Sequence, residues 1–211
     1  MRAVKLFVLG ATGGTGKQIV SQALEGGHDV TLFVRDQAKV GAARPRSRAI
    51  LGNTEDSAGL TDAIRGHDAV VSALGRGYSF SSEHLIERSV TVIIAAMRSA
   101  GVRRLLFMSA MGVGESVADA PVMARLFFST LLRGIYADKL AGDRLIAGSD
   151  LDWTIVRPSK LTDGPLTGNY RSAERLAMSG MPGISRADVA HFTLKAATDP
   201  LTIRKTLVIS Q

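Results

Sequence analysis

An α/β fold is what the sequence predicts: a doubly wound parallel sheet with helices on both faces, in a single domain spanning residues 1–211. Three observations predict it. Short apolar runs alternate with segments of helical periodicity, the pattern of buried parallel strands joined by covering helices. The first apolar run ends in a glycine-rich turn that opens a helix. No internal repeat, low-complexity tract or linker divides the 211 residues.

The elements follow in order. Leu6-Phe7-Val8-Leu9 is a first strand that stops at Gly10; Arg2 and Lys5 precede it, but the apolar run is too short for a signal peptide. Ile19, Val20, Ala23 and Leu24 then fall on one face of a helix. Gly26-Gly27 breaks it, and Val30-Thr31-Leu32-Phe33-Val34 is a buried strand that completes a βαβ unit. A short strand near residues 49–51, a helix over about 57–65 and a strand over 69–73 continue the alternation. Ile86, Val90, Ile93, Ile94 and Met97 recur at helical spacing behind the capping candidates Ser81 and Ser82. The strand Arg104-Leu105-Leu106-Phe107-Met108 follows, then a helix over about 136–147 and the strand Trp153-Thr154-Ile155-Val156. A last helix over about 186–197 precedes the strand Leu207-Val208-Ile209.

Composition narrows the function. With 45% hydrophobic and 21% charged residues the chain buries a sizeable core, which excludes disorder as its main state. The longest uncharged apolar run, residues 89–97, falls short of the roughly 20 needed to cross a bilayer, so no membrane partner is expected. There is no cysteine, hence no disulfide, thiolate metal site or cysteine nucleophile, and a reducing, cytoplasmic location is expected. His28, His67, His84 and His191 are scattered without metal-ligand spacing, and no metal is expected. The formal charge of +7 is dispersed except for Arg44, Arg46 and Arg48, in a Pro-containing stretch that reads as a loop. Aromatics are only 5%, so base stacking has little support and nucleic acid is not the expected partner. A basic surface also suits polyanionic small molecules such as dinucleotides and flavin phosphates.

Gly10, Gly13 and Gly16 recur within Gly10-Ala11-Thr12-Gly13-Gly14-Thr15-Gly16, between the first strand and the first helix. In that context the spacing is a dinucleotide-binding, Rossmann-like fingerprint. Glycines permit a tight turn and let backbone N–H groups approach a pyrophosphate at the helix N-terminus. Ribose selectivity falls to Val34-Arg35-Asp36 after the second strand. Asp36 stands 20 residues after Gly16, near the spacing of an acid that bonds the NAD 2′-hydroxyl. Arg35 and Lys39 instead suit the 2′-phosphate of NADP. NADP (NADPH) is preferred over NAD, because Arg35 comes first after the strand and Asp36 has a capping role open to it.

Val8-Leu9-Gly10-Ala11-Thr12-Gly13-Gly14-Thr15-Gly16, Val34-Arg35-Asp36, Met108-Ser109-Ala110 and Thr154-Ile155-Val156-Arg157-Pro158 resemble the atypical short-chain dehydrogenase/reductase superfamily. Within it the chain is most similar to the flavin reductase (biliverdin-IXβ reductase) group of NAD(P)H-binding proteins. Leu161-Thr162-Asp163-Gly164-Pro165-Leu166-Thr167-Gly168 and Ile184-Ser185-Arg186-Ala187-Asp188-Val189-Ala190 extend the resemblance over nearly the whole chain. It implies pyrophosphate contacts at Thr12, Gly13, Gly14 and Thr15 and a 2′-phosphate contact at Arg35. It also implies adenine contact at Asn53, where the family usually has Asp. Ala73, Leu74 and Gly75, with Pro158, would lie against the ribose and nicotinamide.

The superfamily's acid–base pair places Tyr four residues before Lys. Here Lys139 fits the lysine, whereas Ile135 stands at the tyrosine position and Tyr136 comes one residue later. Ser109, Tyr136 and Lys139 are therefore the catalytic candidates. The resemblance implies an NAD(P)H-dependent oxidoreductase passing hydride to a planar acceptor: a flavin such as FMN, a biliverdin-like tetrapyrrole or a quinone. The alternative is a non-catalytic, NADP-sensing regulatory protein that docks a partner. An epimerase or dehydratase would need the absent tyrosine and a larger C-terminal substrate region. Tyr78, Phe80, Met111, Ser159 and Leu161 are candidate walls for the acceptor, and residues 115–133 read either as a lid or as an ordinary packed helix. Monomer and homodimer both remain open.

Overall fold

The computed structural model describes residues 3–42, 44–75, 84–115, 133–177 and 182–211. Its strands are β1 (Lys5–Leu9), β2 (Asp29–Val34), β3 (Ser47–Leu51), β4 (Ala69–Ser72), β5 (Arg104–Met108), β6 (Asp152–Pro158), β7 (Lys160–Thr162), β8 (Arg171–Ala173), β9 (Gly183–Ser185) and β10 (Lys205–Ser210). The described helices are α1 (Gly14–Glu25), α2 (Ser57–Ile64), α3 (Leu85–Ala100), α4 (Arg133–Ala147) and α5 (Arg186–Thr198).

The main sheet runs β3-β2-β1-β4-β5-β6-β10-β8, and the expected doubly wound parallel architecture holds for seven of its eight strands. The exception is β8, antiparallel to β10 at the edge, while β7 and β9 pair apart from the main sheet. Lys-Leu-Thr, Arg-Ser-Ala and Gly-Ile-Ser are three residues each and mostly polar, so no periodicity announces them. The capping candidates Ser81 and Ser82 lie outside the described residues.

Two-residue alternation divides the core between the two faces of the sheet. Leu6 and Val8 of β1 pack with Ile19, Val20 and Ala23 of α1 and with Val189 and Ala190 of α5. Phe7 and Leu9 turn to the other face, against Leu60 and Ile64 of α2, Ile93 and Met97 of α3, and Ile146 of α4. Each such fully buried side chain contributes about 1.5–3 kcal/mol of transfer free energy, so the alternation fixes the register.

The helix ends are tied by named groups. Asp56 caps α2 by accepting from the Gly59 N–H at 3.0 Å. Asp36 caps the short 3₁₀ turn Gln37–Lys39 through the Ala38 N–H, the capping role the sequence left open to it. The N-terminus of α3 is capped from another helix: both oxygens of buried Asp138 on α4 accept from the Ile86 and Glu87 N–H groups, at 3.1 and 3.0 Å. Arg104 closes the far end of α5, donating to the Ala196 carbonyl at 2.5 Å and to Thr154 and Thr202 hydroxyls. Burial draws its pKa down to about 10, which leaves it charged at neutral pH.

Asp188 fastens the C-terminal third. Its carboxylate accepts from the Thr167 and Gly168 N–H groups at 2.9 and 2.8 Å and from the Thr167 and Ser185 hydroxyls, both at 2.9 Å. Burial opposes its ionisation, but these hydrogen bonds outweigh that and hold its pKa below the usual carboxylate value. The two C-terminal stretches that carry the family resemblance are thus joined through one side chain.

Two outcomes are expected. Asp188→Ala strands several buried donors and should lower unfolding free energy by about 3 kcal/mol in urea melts, with the m-value unchanged. Burial also depresses the pKa of His28 and His67 below 6.5. Below that pH the unfolded chain binds more protons than the folded one, so stability is complete above it and falls as pH drops through the folded values. Urea midpoints at about pH 7.5 and about pH 5.5 should show this loss, and His67→Gln should shrink it.

Candidate functional site

The site begins where β1 runs into α1. Gly10 takes φ +73°, and a Cβ there would lie 2.5 Å from the Ala73 carbonyl oxygen after β4. At Gly16 a Cβ would lie 2.1 Å from the Gly10 oxygen, so α1 can pack this closely on the turn only without a side chain. Gly13 holds the N-cap position of α1, no side chain caps the helix, and its first turn carries no acid. First-turn amides and the positive end of the helix dipole thus meet no anionic side chain of their own helix. Gly14 serves a different approach: Cδ and Nε of Arg186 lie 2.8 Å from where its Cβ would be. That guanidinium, 26% exposed, is held at 2.6 Å by the carboxylate of Asp163, which is 89% exposed.

A cleft of about 510 Å³ runs from this turn across the C-terminal ends of the strands. It brings together Gly13, Gly14, Thr15 and Gly16, the strand end Ala73-Leu74-Gly75, Pro158, and all three catalytic candidates, Ser109, Tyr136 and Lys139. Of the candidate acceptor walls, Met111, Ser159 and Leu161 line it. Tyr78 and Phe80, and residues 116–132 of the candidate lid, lie outside the described residues. Gly10 sits beneath the turn and Thr12 is half-buried on it. Arg35 and Asn53 are exposed beyond β2 and β3, outside the cleft lining; the Asn53 side-chain carbonyl accepts from the Glu55 N–H at 3.2 Å.

Behind the catalytic candidates is a charged network that residue spacing did not reveal. The Ser109 hydroxyl donates to buried Asp143 at 3.0 Å rather than pointing to backbone. The same oxygen takes Arg157 Nη2 at 2.8 Å. Burial pushes the Asp143 pKa up, against Arg157, Ser109 and Lys139. Burial pulls the Lys139 pKa down, against Asp143 and Asp138, and pushes Tyr136 up to about 12. Tyr136 is thus a weaker acid than a solvated phenol.

Sequence reasoning missed Asp143, Arg157, Asp138 and Arg186 as site residues. Signals existed: Asp143 follows Lys139 by one helical turn, and Arg157 and Arg186 lie in the resemblance stretches, where no role was attached to them. His84, Glu87 and Asp138 also bring ligand atoms within 4.8 Å of one another. Both Asp138 oxygens already serve the α3 amides, so that cluster reads as a helix cap.

A parallel sheet whose strand order reverses between β1 and β4, with an uncapped glycine turn and helix N-terminus beside that crossing, defines a Rossmann-like dinucleotide-binding protein. The chain belongs to the NAD(P)H-binding family, whose model matches residues 10–200. It is 30% identical over 182 residues to an uncharacterized chloroplastic protein of Arabidopsis thaliana; the match covers 80% of this chain and 63%, less than two thirds, of that relative. Its fold is shared with a Veillonella parvula short-chain dehydrogenase/reductase in complex with NADP (TM-score 0.80, 19% identity, 100% of this chain and 95% of that one). It is shared too with an anaerobillin reductase of Escherichia coli O157:H7 (TM-score 0.81, 21% identity, 98% and 96%). Among the described residues no helix is long and apolar enough to cross a membrane.

The turn sterics separate two substitutions. Gly16→Ala should cost about 3 kcal/mol, because backbone must move. Gly13→Ala, whose Cβ would meet the Gly10 oxygen at 3.4 Å, should stay within about 1 kcal/mol. Thermal melts of both variants check this.

Proposed function

We propose that the protein is an NAD(P)H-dependent reductase, with NADPH preferred, that passes hydride to a planar acceptor such as a flavin, a biliverdin-like tetrapyrrole or a quinone. The observation that carries this reading is one continuous cleft leading from an anion-ready helix N-terminus to Ser109, Tyr136 and Lys139. The fold shared with an anaerobillin reductase and with an NADP complex supports it.

Amides of Gly14 and Thr15 and the Arg186 guanidinium would hold the pyrophosphate, Arg186 leaving exposed Asp163 for a more buried anion; the Gly13 N–H, which the resemblance also offers, is spent within the turn on the Gly10 carbonyl at 3.1 Å. Thr12 on the turn and Asn53 toward the adenine complete that end, with Arg35 on the 2′-phosphate. Ala73, Leu74, Gly75 and Pro158 leave room for ribose and nicotinamide, and the Lys139 ammonium would donate to the ribose hydroxyls. Bound NADPH supplies the hydride. Met108, Met111 and Leu161 give the acceptor an apolar wall, so the protein's main contribution is to stack donor and acceptor at reactive distance. Ser109 acts through Asp143 and Arg157, fixing the ends of β5 and β6 beneath the reacting rings. The acceptor's proton comes from solvent in the open cleft.

Ile135, lining the cleft at the position of the family's tyrosine, favours a second reading: an NADP-sensing regulator that docks a partner. Following NADPH absorbance while FMN, biliverdin and quinones are offered in turn separates the two. Turnover with any of them supports the reductase; tight NADPH binding without turnover across the panel supports the sensor.

Arg35→Ala should raise the Michaelis constant for NADPH far more than for NADH, and an equal rise for both would remove the 2′-phosphate assignment. Arg186→Ala should weaken both cofactors about tenfold, or about 1.4 kcal/mol, read by fluorescence titration. Ser109→Ala should lower turnover about tenfold, while Tyr136→Phe leaves it nearly unchanged; loss of turnover in Tyr136→Phe with NADPH affinity intact would identify Tyr136 as the proton donor.

A further inference from the structure

The opposite rim of the sheet carries a second concavity, of about 480 Å³, where the N-terminal ends of β1, β2 and β3 meet the loop after α2. Among the described residues its charged lining is mostly basic: Lys5, Arg46, Arg48 and Arg65 face Asp29, and the Asp68 carboxylate beside the rim accepts from the Lys5 backbone N–H at 2.7 Å. Arg65 is paired with Asp62 at 3.2 Å. Among the described residues, the Lys5, Arg46 and Arg48 side chains have no carboxylate partner.

Two of these cations are held in place. His67 Nδ1 lies 2.8 Å from the Ile64 carbonyl, which can only accept, so Nδ1 carries the proton. Burial lowers the ring's pKa below 6.5, which favours the neutral form at pH 7, and Nε2, 2.8 Å from Thr31 Oγ1, then accepts the hydroxyl proton. Thr31 Oγ1 is then left to accept from Arg48 Nε at 3.0 Å. That chain of hydrogen bonds uses one donor of Arg48, leaving its two terminal amino groups to make a bidentate contact. Arg46 is held by the bond from its Nη1 to the Gly27 carbonyl, with its backbone at φ +62°. Lys5 at the start of β1, Arg48 on β3 and Arg46 just before it all line the concavity, and three cations exceed the charge of about −2 that one phosphate carries.

We propose that this concavity binds an oligophosphate anion, two or more linked phosphate groups, either free or as the terminal phosphates of a nucleotide. Pre-positioned guanidinium groups suit phosphate oxygens, and side-chain entropy already lost in the free protein is not lost again on binding. The lining has no Phe, Tyr or Trp face on which successive bases could stack, which favours a small anion over a nucleic acid strand. The site lies across the sheet from the cofactor cleft, so it stands or falls independently of the reductase reading.

The test is titration of the full chain with inorganic pyrophosphate, ADP, orthophosphate and a short single-stranded oligonucleotide, by calorimetry and by amide chemical shifts, affinity for this concavity being read from the amides of Lys5, Thr31, Arg48 and His67. At this concavity pyrophosphate should bind once per chain, moving the amides of Lys5, Thr31, Arg48 and His67 in a saturation curve separate from any shift at residues 10–16, and orthophosphate should bind there at least tenfold more weakly. At those amides, equal affinities for ADP and pyrophosphate mean that linked phosphates suffice, and tighter ADP means that a nucleotide is the source. Arg48→Ala should weaken pyrophosphate at least tenfold and Arg48→Lys severalfold, while Arg186→Ala leaves it unchanged. Should Arg48→Ala fail to fold, Lys5→Gln, outside the Thr31–His67 network, should still cost at least threefold. The proposal is overturned by no binding at millimolar pyrophosphate, by shifts confined to residues 10–16, or by wild-type affinity in both Arg48→Lys and Lys5→Gln. Orthophosphate binding as well as pyrophosphate, or an oligonucleotide binding tighter than either, also overturns it.

Discussion

The approach of α1 to the turn that precedes it is the constraint on which the site depends. A helix that packs with Gly16 against the Gly10 carbonyl, while Gly10 itself presses on the Ala73 carbonyl, brings the ends of β1 and β4 to one point. Nothing larger than hydrogen fits at those contacts. The positive end of α1 is thereby delivered to the crossing where the strand order reverses, and the cleft opens beside it. Because the contacts involve backbone rather than adaptable side chains, the geometry is stiff. Precision at the N-terminus of α1 is a by-product of close packing.

The parts of the fold written as periodicity were legible. The strands Leu6-Phe7-Val8-Leu9 and Leu105-Leu106-Phe107 declare themselves because both faces are buried, and the amphipathic faces of α1 and α3 follow from their spacing. The short strands β7, β8 and β9 did not, because their residues are ordered by tertiary partners such as Asp188 and β10 rather than by a local pattern. Site residues divide the same way. Gly13 through Gly16 are a local motif and could be read directly. Asp143 reaches Ser109 across 34 residues and Arg157 across 14, and Arg186 reaches Gly14 from the far end of the chain; only folding reveals such encounters. Asp138 appeared in the sequence as one more charge on a helix, although its partners are the amides of a different helix.

Two charged clusters on the cleft side use opposite strategies. Asp143 and Arg157 are buried against each other, and such a pair is kept intact by the cost of leaving either partner alone. It favours one arrangement of the ends of β5 and β6. Asp163 and Arg186 meet nearer solvent, where an ion pair is worth little and is exchanged readily. The pair behind Ser109 is thus held rigidly, whereas Arg186 at the glycine turn is tied only to a carboxylate that stands in solvent.

The edges of the sheet bear on how copies of this chain can meet. Among the described residues the two outermost strands are β3 and β8. β3 carries Arg48, and β8 is only three residues long and begins at Arg171. Short strands and charged side chains blunt the tendency of an open edge to pair with another chain. The antiparallel turn of β8 against β10 also covers the border that a wholly parallel sheet would leave open. Extension of the sheet from one molecule into the next is therefore disfavoured at both borders, which leaves helical faces or loops as the surfaces for any self-association.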